Sequence, residues 1–507
     1  MAKPHIQVPS SITDRSRPLP EYFISSSHNT YLVAHQLYGS STAIAYETAL
    51  KTGARCVEID AWDDENHPDE PKVTHGFTLA SNIPFRNVCE TIRDVIDDEA
   101  KDTPANEGYR PSPIMISLEN HCNAHGQKRL AEIMKEVWGS RLVGKRVREE
   151  GHREQMGSGE HVTLEELGSK ICVIVEYHFP QEEADSDSSS SSDEDGEDAE
   201  TMKARKEYQQ KKKNAPTGII PELAELGVYA QSVKPRDKSW LRGDLKEGPH
   251  HHLINVSESA LSSLMPADGP NIGRHNSQNL MRVYPKGTRI SSRNLSPVPY
   301  WGVGAQICAL NWQTFDASVQ LNEALFAGTD GYVLKPAALR SGGSTSPAAK
   351  TVQKKRLRLH IAGATDVPIP EGREADSLQP YVTCTLIQPH DLTGDPPKRK
   401  TSGYKQHKLA LWHKGENPPP TEPIWDEVLE WEYDGTGDGN HSGYDGLSFL
   451  RILIKSDDRL ARNPKVAVVA LRLAYVVTGQ WRFVRMMDLK ARQTKCSLLV
   501  KFEVGDM

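Results

Sequence analysis

Four short segments of this chain place histidine, carboxylate and amide side chains at the ends of apolar runs. They are Ser27-His28-Asn29-Thr30, Glu58-Ile59-Asp60, Thr74-His75-Gly76 and Ser117-Leu118-Glu119-Asn120-His121. Two imidazoles, His28 and His75, can move protons near neutral pH. Asn29, Glu58, Asp60 and Glu119 offer one amide and three carboxylate oxygens, the hard ligands that calcium takes. Converging carboxylates raise one another's pKa unless a cation neutralises them, so a divalent ion is the simplest reason for such a grouping. A metal-bound alcohol is more acidic than a free one, and a nearby carboxylate can take its proton. One histidine then steadies a charged phosphorus centre while the other protonates a leaving alcohol. The set suffices for calcium-assisted cleavage of a phosphodiester. Each residue alone carries little, because an isolated histidine or glutamate is more often an ordinary structural partner. His121, just past its apolar run, reads as structural. The triple histidine after Pro249, His250 to His252, resembles a metal-binding tract but reads better as a solvated loop.

These groups need elements to position them. Period-two alternation in Cys56 to Asp60 predicts a strand with Glu58 and Asp60 on one face. Ile114 to Glu119 reads as a buried strand ending in a carboxylate, and Ile171 to Val175 as another. Between them, Leu130, Ile133, Met134, Val137 and Trp138 recur at helical spacing and predict a helix over Gln127 to Gly139. Residues 21–180 thus have the βαβα pattern of an α/β fold with a parallel sheet. In a closed parallel barrel, the C-terminal strand ends converge on one mouth. The pattern resumes near Pro221, with strands expected at Gln306 to Asn311 and Tyr332 to Leu334. From Lys355 onward, period-two strands predict a small all-β sandwich of about 150 residues.

Composition sets the bounds. A length of 507 residues fits about three domains. The net charge of -7 hides an asymmetry: residues 181–200 hold ten acidic residues and no basic one, so the remainder carries +3. That balance suits an anionic lipid surface and gives no reason to expect nucleic acid as a partner. The acidic stretch, with Ser188 to Ser192 inside it, cannot bury apolar surface and is expected to be disordered. It reads either as a solvated tether or as an autoinhibitory strap repelled by anionic lipid. Seven scattered cysteines form no metal-site spacing and read as reduced thiols of a cytoplasmic protein. The N-terminus has no signal-peptide pattern, and no run reaches the roughly 18 apolar residues that span a bilayer. Any membrane association is therefore expected to be peripheral.

The motifs resemble those of the eukaryotic phosphoinositide-specific phospholipases C. Tyr22 to Leu32, Glu58 to Asp63, His75 to Thr78 and Ser117 to His121 are similar to the family's X half-barrel. Arg282 to Gly287, Gln306 to Asn311 and Gly331 to Pro336 are similar to its Y half, and the terminal sandwich resembles its C2 domain. The resemblance implies a tail over 1–20, an X half over 21–180 and a linker over 181–215. A Y half over 216–340, a second linker over 341–351 and a C2-like sandwich over 352–507 follow. Only about 20 residues precede Tyr22, so no pleckstrin-homology or EF-hand region is expected. The implied fold is a TIM-type (β/α)8 barrel split by the acidic linker.

The resemblance also implies roles. Asn29, Glu58, Asp60 and Glu119 would hold calcium, His28 would steady the transition state, and His75 would protonate the diacylglycerol leaving group. Glu58 or Glu119 would be the base for the inositol 2-hydroxyl, with a cyclic phosphate then hydrolysed. Asn255, Arg282 and Tyr284 would contact the headgroup, and Leu37, Phe77 and Leu79 would form an apolar rim facing the membrane. Two departures stand out. Ile174 and Glu176 occupy positions where the family usually has lysines for ring phosphates, so a weakened 4,5-bisphosphate preference is expected. Gln379, Ser456 and Pro464 replace aspartates of the C2 calcium loops, with Asp458 retained, so that domain is expected not to bind calcium. Two other readings stay open: a lipid-binding scaffold without turnover, and a phosphodiesterase acting on another glycerophosphodiester.

Overall fold

The computed structural model describes residues 3–32, 42–74, 82–102, 112–156, 160–179, 218–243, 245, 247–286, 293–343, 352–391, 394–407, 417–436, 444–457 and 463–507. His75, the rim residues Leu37, Phe77 and Leu79, Asp458 and the acidic segment 181–200 lie outside them.

The N-terminal sheet contains, in chain order, β1 (Tyr22–Ile24), β2 (Cys56–Trp62), β3 (Lys72–Val73), β4 (Ile83–Pro84), β5 (Ile114–Asn120) and β6 (Ile171–Glu176). It continues with β7 (Gln231–Val233), β8 (His252–Ser257), β9 (Leu280–Tyr284), β10 (Ile307–Cys308) and β11 (Tyr332–Leu334). Parallel pairing runs β2, β5, β6, β7, β8, β9, β10, β1. The circle closes where Ser26 pairs in parallel with Cys56 and the Ser27 N–H donates to the Cys56 carbonyl at 2.8 Å. Eight parallel strands therefore form the expected barrel. Tyr332 to Leu334 is a strand as expected, but it pairs antiparallel with β1 outside the circle. The β3–β4 ribbon extends β2 in the same antiparallel way.

Strand alternation builds two different faces. Outward residues Val57, Ile59, Ile116, Leu118, Val173 and Val175 join one core with the helices Ala43–Lys51, Phe85–Asp102 and Ala124–Trp138. The last helix starts at Ala124, before Gln127, because the Asn123 side chain accepts from the His125 and Gly126 N–H groups and caps it. Inward residues at the start of the strands are apolar: Tyr22, Ile24, Cys56, Met115, Cys172, Ile174, Leu253, Leu280 and Ile307 share a second cluster. Two or four residues further along the same inward files come Glu58, Asp60, Glu119, Glu176, Asn255, Arg282 and Tyr284. The barrel thus has a dry floor and a polar mouth, set by the two-residue period alone.

The C-terminal region contains β12 (Val352–Thr365), β13 (Pro380–Ile387), β14 (Lys398–Lys400), β15 (Ile424–Thr436), β16 (Phe449–Ser456), β17 (Lys465–Arg472), β18 (Trp481–Met487) and β19 (Gln493–Asp506). They pair antiparallel in the order β14, β13, β16, β17, β18, β19, β12, β15. Alternate residues such as Leu357, Leu359, Ile452, Ile454, Leu498 and Val500 meet in one core, so the sheet curls onto itself as a β-sandwich. Leu447 and Phe449 leave that core and pack with Trp301 and Val298 of the barrel. The N-terminal segment bridges the same junction, with Ile6 paired to Val476 and the Gln7 N–H donating to the Tyr475 carbonyl at 2.7 Å.

The triple histidine departs from the solvated loop expected of it. His251 is buried against Glu154, and the His252 and His275 Nε2 atoms lie 3.0 Å apart. The register Gln231↔His252 draws the segment beneath the barrel, leaving only His250 of the three exposed.

Just before β11, at the corner beside the barrel seam, the Gly331 carbonyl accepts from the Ser25 N–H at 2.9 Å. Its φ is +86°, and a Cβ there would meet Arg55 Cγ at 2.5 Å and the Gly53 carbonyl at 2.6 Å. Gly331→Ala is expected to cost about 1–3 kcal/mol from backbone strain alone, read as a lower urea midpoint. An unchanged midpoint would show that this corner relaxes freely.

Candidate active site

Two adjacent parallel strands assemble the acidic centre. The register Glu58↔Ser117 and Asp60↔Glu119 sets three carboxylates side by side on the inward face. Glu58, Asp60 and Glu119 each present an oxygen within 4.8 Å of the others. Asn29 sits beside them with φ +46°, a left-handed conformation that asparagine tolerates better than most residues. That turn aims its backbone N–H at Glu58 Oε2, at 2.7 Å. The Glu58 N–H donates to Thr30 Oγ1 at 3.0 Å, and the Tyr46 hydroxyl donates to the Glu58 carbonyl at 2.8 Å. Main chain and side chain of Glu58 are both held.

The far side of the barrel supplies the counter-charge. Arg282, on β9 and 2% exposed, donates to Glu58 Oε1 at 2.5 Å and to Asn255 Oδ1 at 3.2 Å. Asn255 and Arg282 are register partners on β8 and β9. The guanidinium also lies 5.8 Å from the centroid of the Tyr284 ring. His28 Nδ1 lies 2.9 Å from Asn311 Oδ1, which assigns the Nδ1 proton to that contact and turns Nε2 toward Glu58, 3.9 Å away. Asn311 is fixed in turn by Asn294, whose Oδ1 accepts its N–H at 2.5 Å.

Charge balance favours a cation. Three carboxylates and one guanidinium sum to -2, the charge that one divalent ion cancels. Burial, then the Glu119 and Glu58 charges, push the Asp60 carboxyl well above the ordinary range. Burial and then the Glu58 charge push Glu119 up as well. Burial works against the Arg282 charge, but Glu58 and Glu119 more than offset it. Burial, followed by the Arg282 charge, brings His28 down to about 4. Tyr31 donates to Asp60 Oδ2 at 2.5 Å, yet Asp60 Oδ1 is buried with no hydrogen-bond partner. An orphaned carboxylate oxygen beside two more carboxylates is what a bound metal ion would satisfy, so these residues fit one.

The sequence-predicted Asn29, Glu58, Asp60, Glu119, His28, Asn255 and Arg282 are thus brought together, with Tyr284 at the edge. Asn311 was not anticipated as a partner of His28. Its signal was its place at the end of a predicted strand, on the same rim as the carboxylates. His121 stacks on Trp62, with centroids 4.1 Å apart, as a structural residue would. Glu176 faces the mouth; burial opposes its charge, but His178, Lys234 and His121 hold its carboxyl below the usual range.

Residues 15–177 match the phosphatidylinositol-specific phospholipase C X domain, and residues 223–338 match the Y domain. The chain belongs to the phosphoinositide-specific phospholipase C family. A relative from Danio rerio, 1-phosphatidylinositol 4,5-bisphosphate phosphodiesterase delta-3-A, is 34% identical over 481 residues, covering 92% of this chain and 55% of the relative. The Dictyostelium discoideum 1-phosphatidylinositol 4,5-bisphosphate phosphodiesterase is 32% identical over 74% of this chain and 48% of its own length. The crystal structure of S. officinalis PLC21 superposes with a TM-score of 0.74 at 24% identity, over 98% of this chain and 57% of that one. This phospholipase C family chain spans about half the length of the curated relatives it matches.

Asn311→Ala removes the acceptor that orients His28. A turnover loss of about 10²-fold with little change in KM is expected, the scale of a misplaced reacting group. Equal kinetics for variant and parent would mean that His28 is oriented by something else.

Proposed function

We propose that this chain is a calcium-dependent phosphodiesterase that releases diacylglycerol and an inositol phosphate from phosphoinositides at a membrane surface. The observation that supports this most directly is the partnerless Asp60 Oδ1 among three carboxylates beside His28. Asn29, Glu58, Asp60 and Glu119 hold the calcium in this reading. Bound there, calcium would acidify the inositol 2-hydroxyl and spread the charge that builds on the phosphate.

The chain's own residues divide the remaining work. Glu58 has both oxygens engaged, by Arg282 and by the Asn29 N–H. Glu119, with its raised proton affinity, is the better choice of base for the 2-hydroxyl. His28 steadies charge on the phosphoryl oxygens through Nε2, and an anionic phosphodiester alongside raises its pKa toward the protonated form. His75, outside the described residues, takes the role of acid toward the diacylglycerol oxygen. Asn255, Arg282 and Tyr284 line the side of the mouth facing the headgroup. Among the described residues no helix is long and apolar enough to cross a membrane, so the reading is of peripheral association with an anionic surface.

Headgroup preference is the point where this reading parts from the relatives, which are 4,5-bisphosphate phosphodiesterases. Ile174 is buried in the apolar floor, and above it Glu176 points into the mouth with His178 at 3.7 Å. A carboxylate there repels a ring phosphate, and a missing lysine forgoes a charge-assisted hydrogen bond of about 1.5–3 kcal/mol. The proposal is a preference for phosphatidylinositol or a monophosphate. In the sandwich, the Ser456 hydroxyl accepts from the Gln379 N–H at 3.1 Å, and the Ser456 N–H donates to the Pro464 carbonyl at 3.1 Å. The substituted loop positions bond one another, which supports a sandwich that packs without calcium.

The test is release of water-soluble inositol phosphates from vesicles of defined lipid. Calcium chelation is expected to abolish release, and Glu119→Gln to lower it by roughly 10²–10⁴-fold. Glu176→Lys is expected to shift the rate ratio toward the 4,5-bisphosphate by about tenfold or more. No release from any lipid would replace the enzyme with a lipid-binding scaffold. A parent enzyme that already cuts the bisphosphate many-fold faster would overturn the headgroup proposal alone.

A further inference from the structure

At the opposite end of the barrel from Glu119, Glu154, His250 and His251 each offer a ligand atom within 4.8 Å of the others. Glu154 lies in the 3-10 turn Arg153–Met156, in the connection leading to β6. His250 and His251 immediately precede β8, and the His251 carbonyl accepts from the Gln231 N–H at 2.9 Å, at the foot of β7. Two connections distant in sequence therefore meet beneath the barrel floor.

We propose that Glu154, His250 and His251 form a site for a zinc-like divalent transition metal, separate from the acidic centre in the mouth. The ligand set is two imidazoles and one carboxylate, which suits zinc and its neighbours and does not suit calcium. Glu154 is fully buried; His251 engages Oε1, while Oε2 is buried without any hydrogen-bond partner. A buried carboxylate oxygen left unpaired is costly, and a metal ion answers that cost. The His250 and His161 rings lie 4.4 Å and 4.5 Å from that of His251, and His161 Nδ1 is likewise buried without a partner. Arg148 is held by both oxygens of Glu166, at 2.9 Å and 2.8 Å, and also acts electrostatically on Glu154. Arg146 acts electrostatically on His251 and weighs against a cation there. Exposed His250 gives the ion its way in and leaves a coordination position facing solvent. Metal binding here would tie the β5–β6 connection to the β7–β8 connection without touching the mouth.

The full chain, stripped with chelator, is titrated with zinc chloride by calorimetry and with cobalt chloride by visible absorption. One zinc per chain is expected, with the intense visible bands of four- or five-coordinate cobalt, and both persist in Glu119→Gln. His250→Ala changes an exposed residue and is expected to retain the fold by circular dichroism. It should weaken zinc binding by more than about tenfold, the least that even a lost outer partner of a metal ligand costs. Glu154→Gln should do the same. Absence of stoichiometric zinc, equal affinity in parent and His250→Ala, or loss only in Glu119→Gln would each overturn the site.

Discussion

One ion pair joins the two halves of the barrel. Glu58 and Arg282 lie 224 positions apart in the chain and meet inside the mouth, almost without solvent access. A buried pair of this kind is a poor source of stability, because desolvating both groups offsets much of their attraction. What it does provide is order. The guanidinium fixes Glu58, the Asn29 turn fixes its other oxygen, and the remaining carboxylates are left facing one another across a small gap. Removing either partner would leave a charge buried alone, so both half-barrels must be in place before the acidic centre is tolerable.

The barrel can hold such a centre because its inner surface is divided along the strand direction. The lower inward positions carry Cys56, Met115, Ile174, Leu253 and Leu280, which exclude water and hold the strands together. The upper positions of the same files carry the polar groups, which depend on one another for hydrogen bonds. Low dielectric below strengthens the charge interactions above. It also explains why the carboxyl groups of Asp60 and Glu119 shift upward together: both are buried above a dry floor, and both feel the Glu58 charge.

Much of this was legible in the sequence. Period-two alternation placed Glu58 and Asp60 on one face, and the motif order pointed to a split barrel with a sandwich after it. The polarity of the inward files at Glu119, Asn255 and Arg282 follows from the same period. What sequence did not show depends on contacts between distant segments. Nothing local ties Arg282 to Glu58, or Asn311 to His28. The histidines at 250–252 look like a hydrophilic loop until strand register carries them under the floor against Glu154. Helix starts were off by three residues at Ala124 because a single side-chain cap, from Asn123, overrides the apolar periodicity.

The shared junction of the barrel and the sandwich has its own consequence. Phe449 lies against Trp301, Arg451 donates to Gln320 at 2.6 Å, and the segment around Ile6 and Gln7 stitches across the seam. Helix Ala317–Phe326 thus has the sandwich for one of its walls. Such a seam is expected to couple the unfolding of the two units, with the sandwich serving as a keystone for the last turn of the barrel.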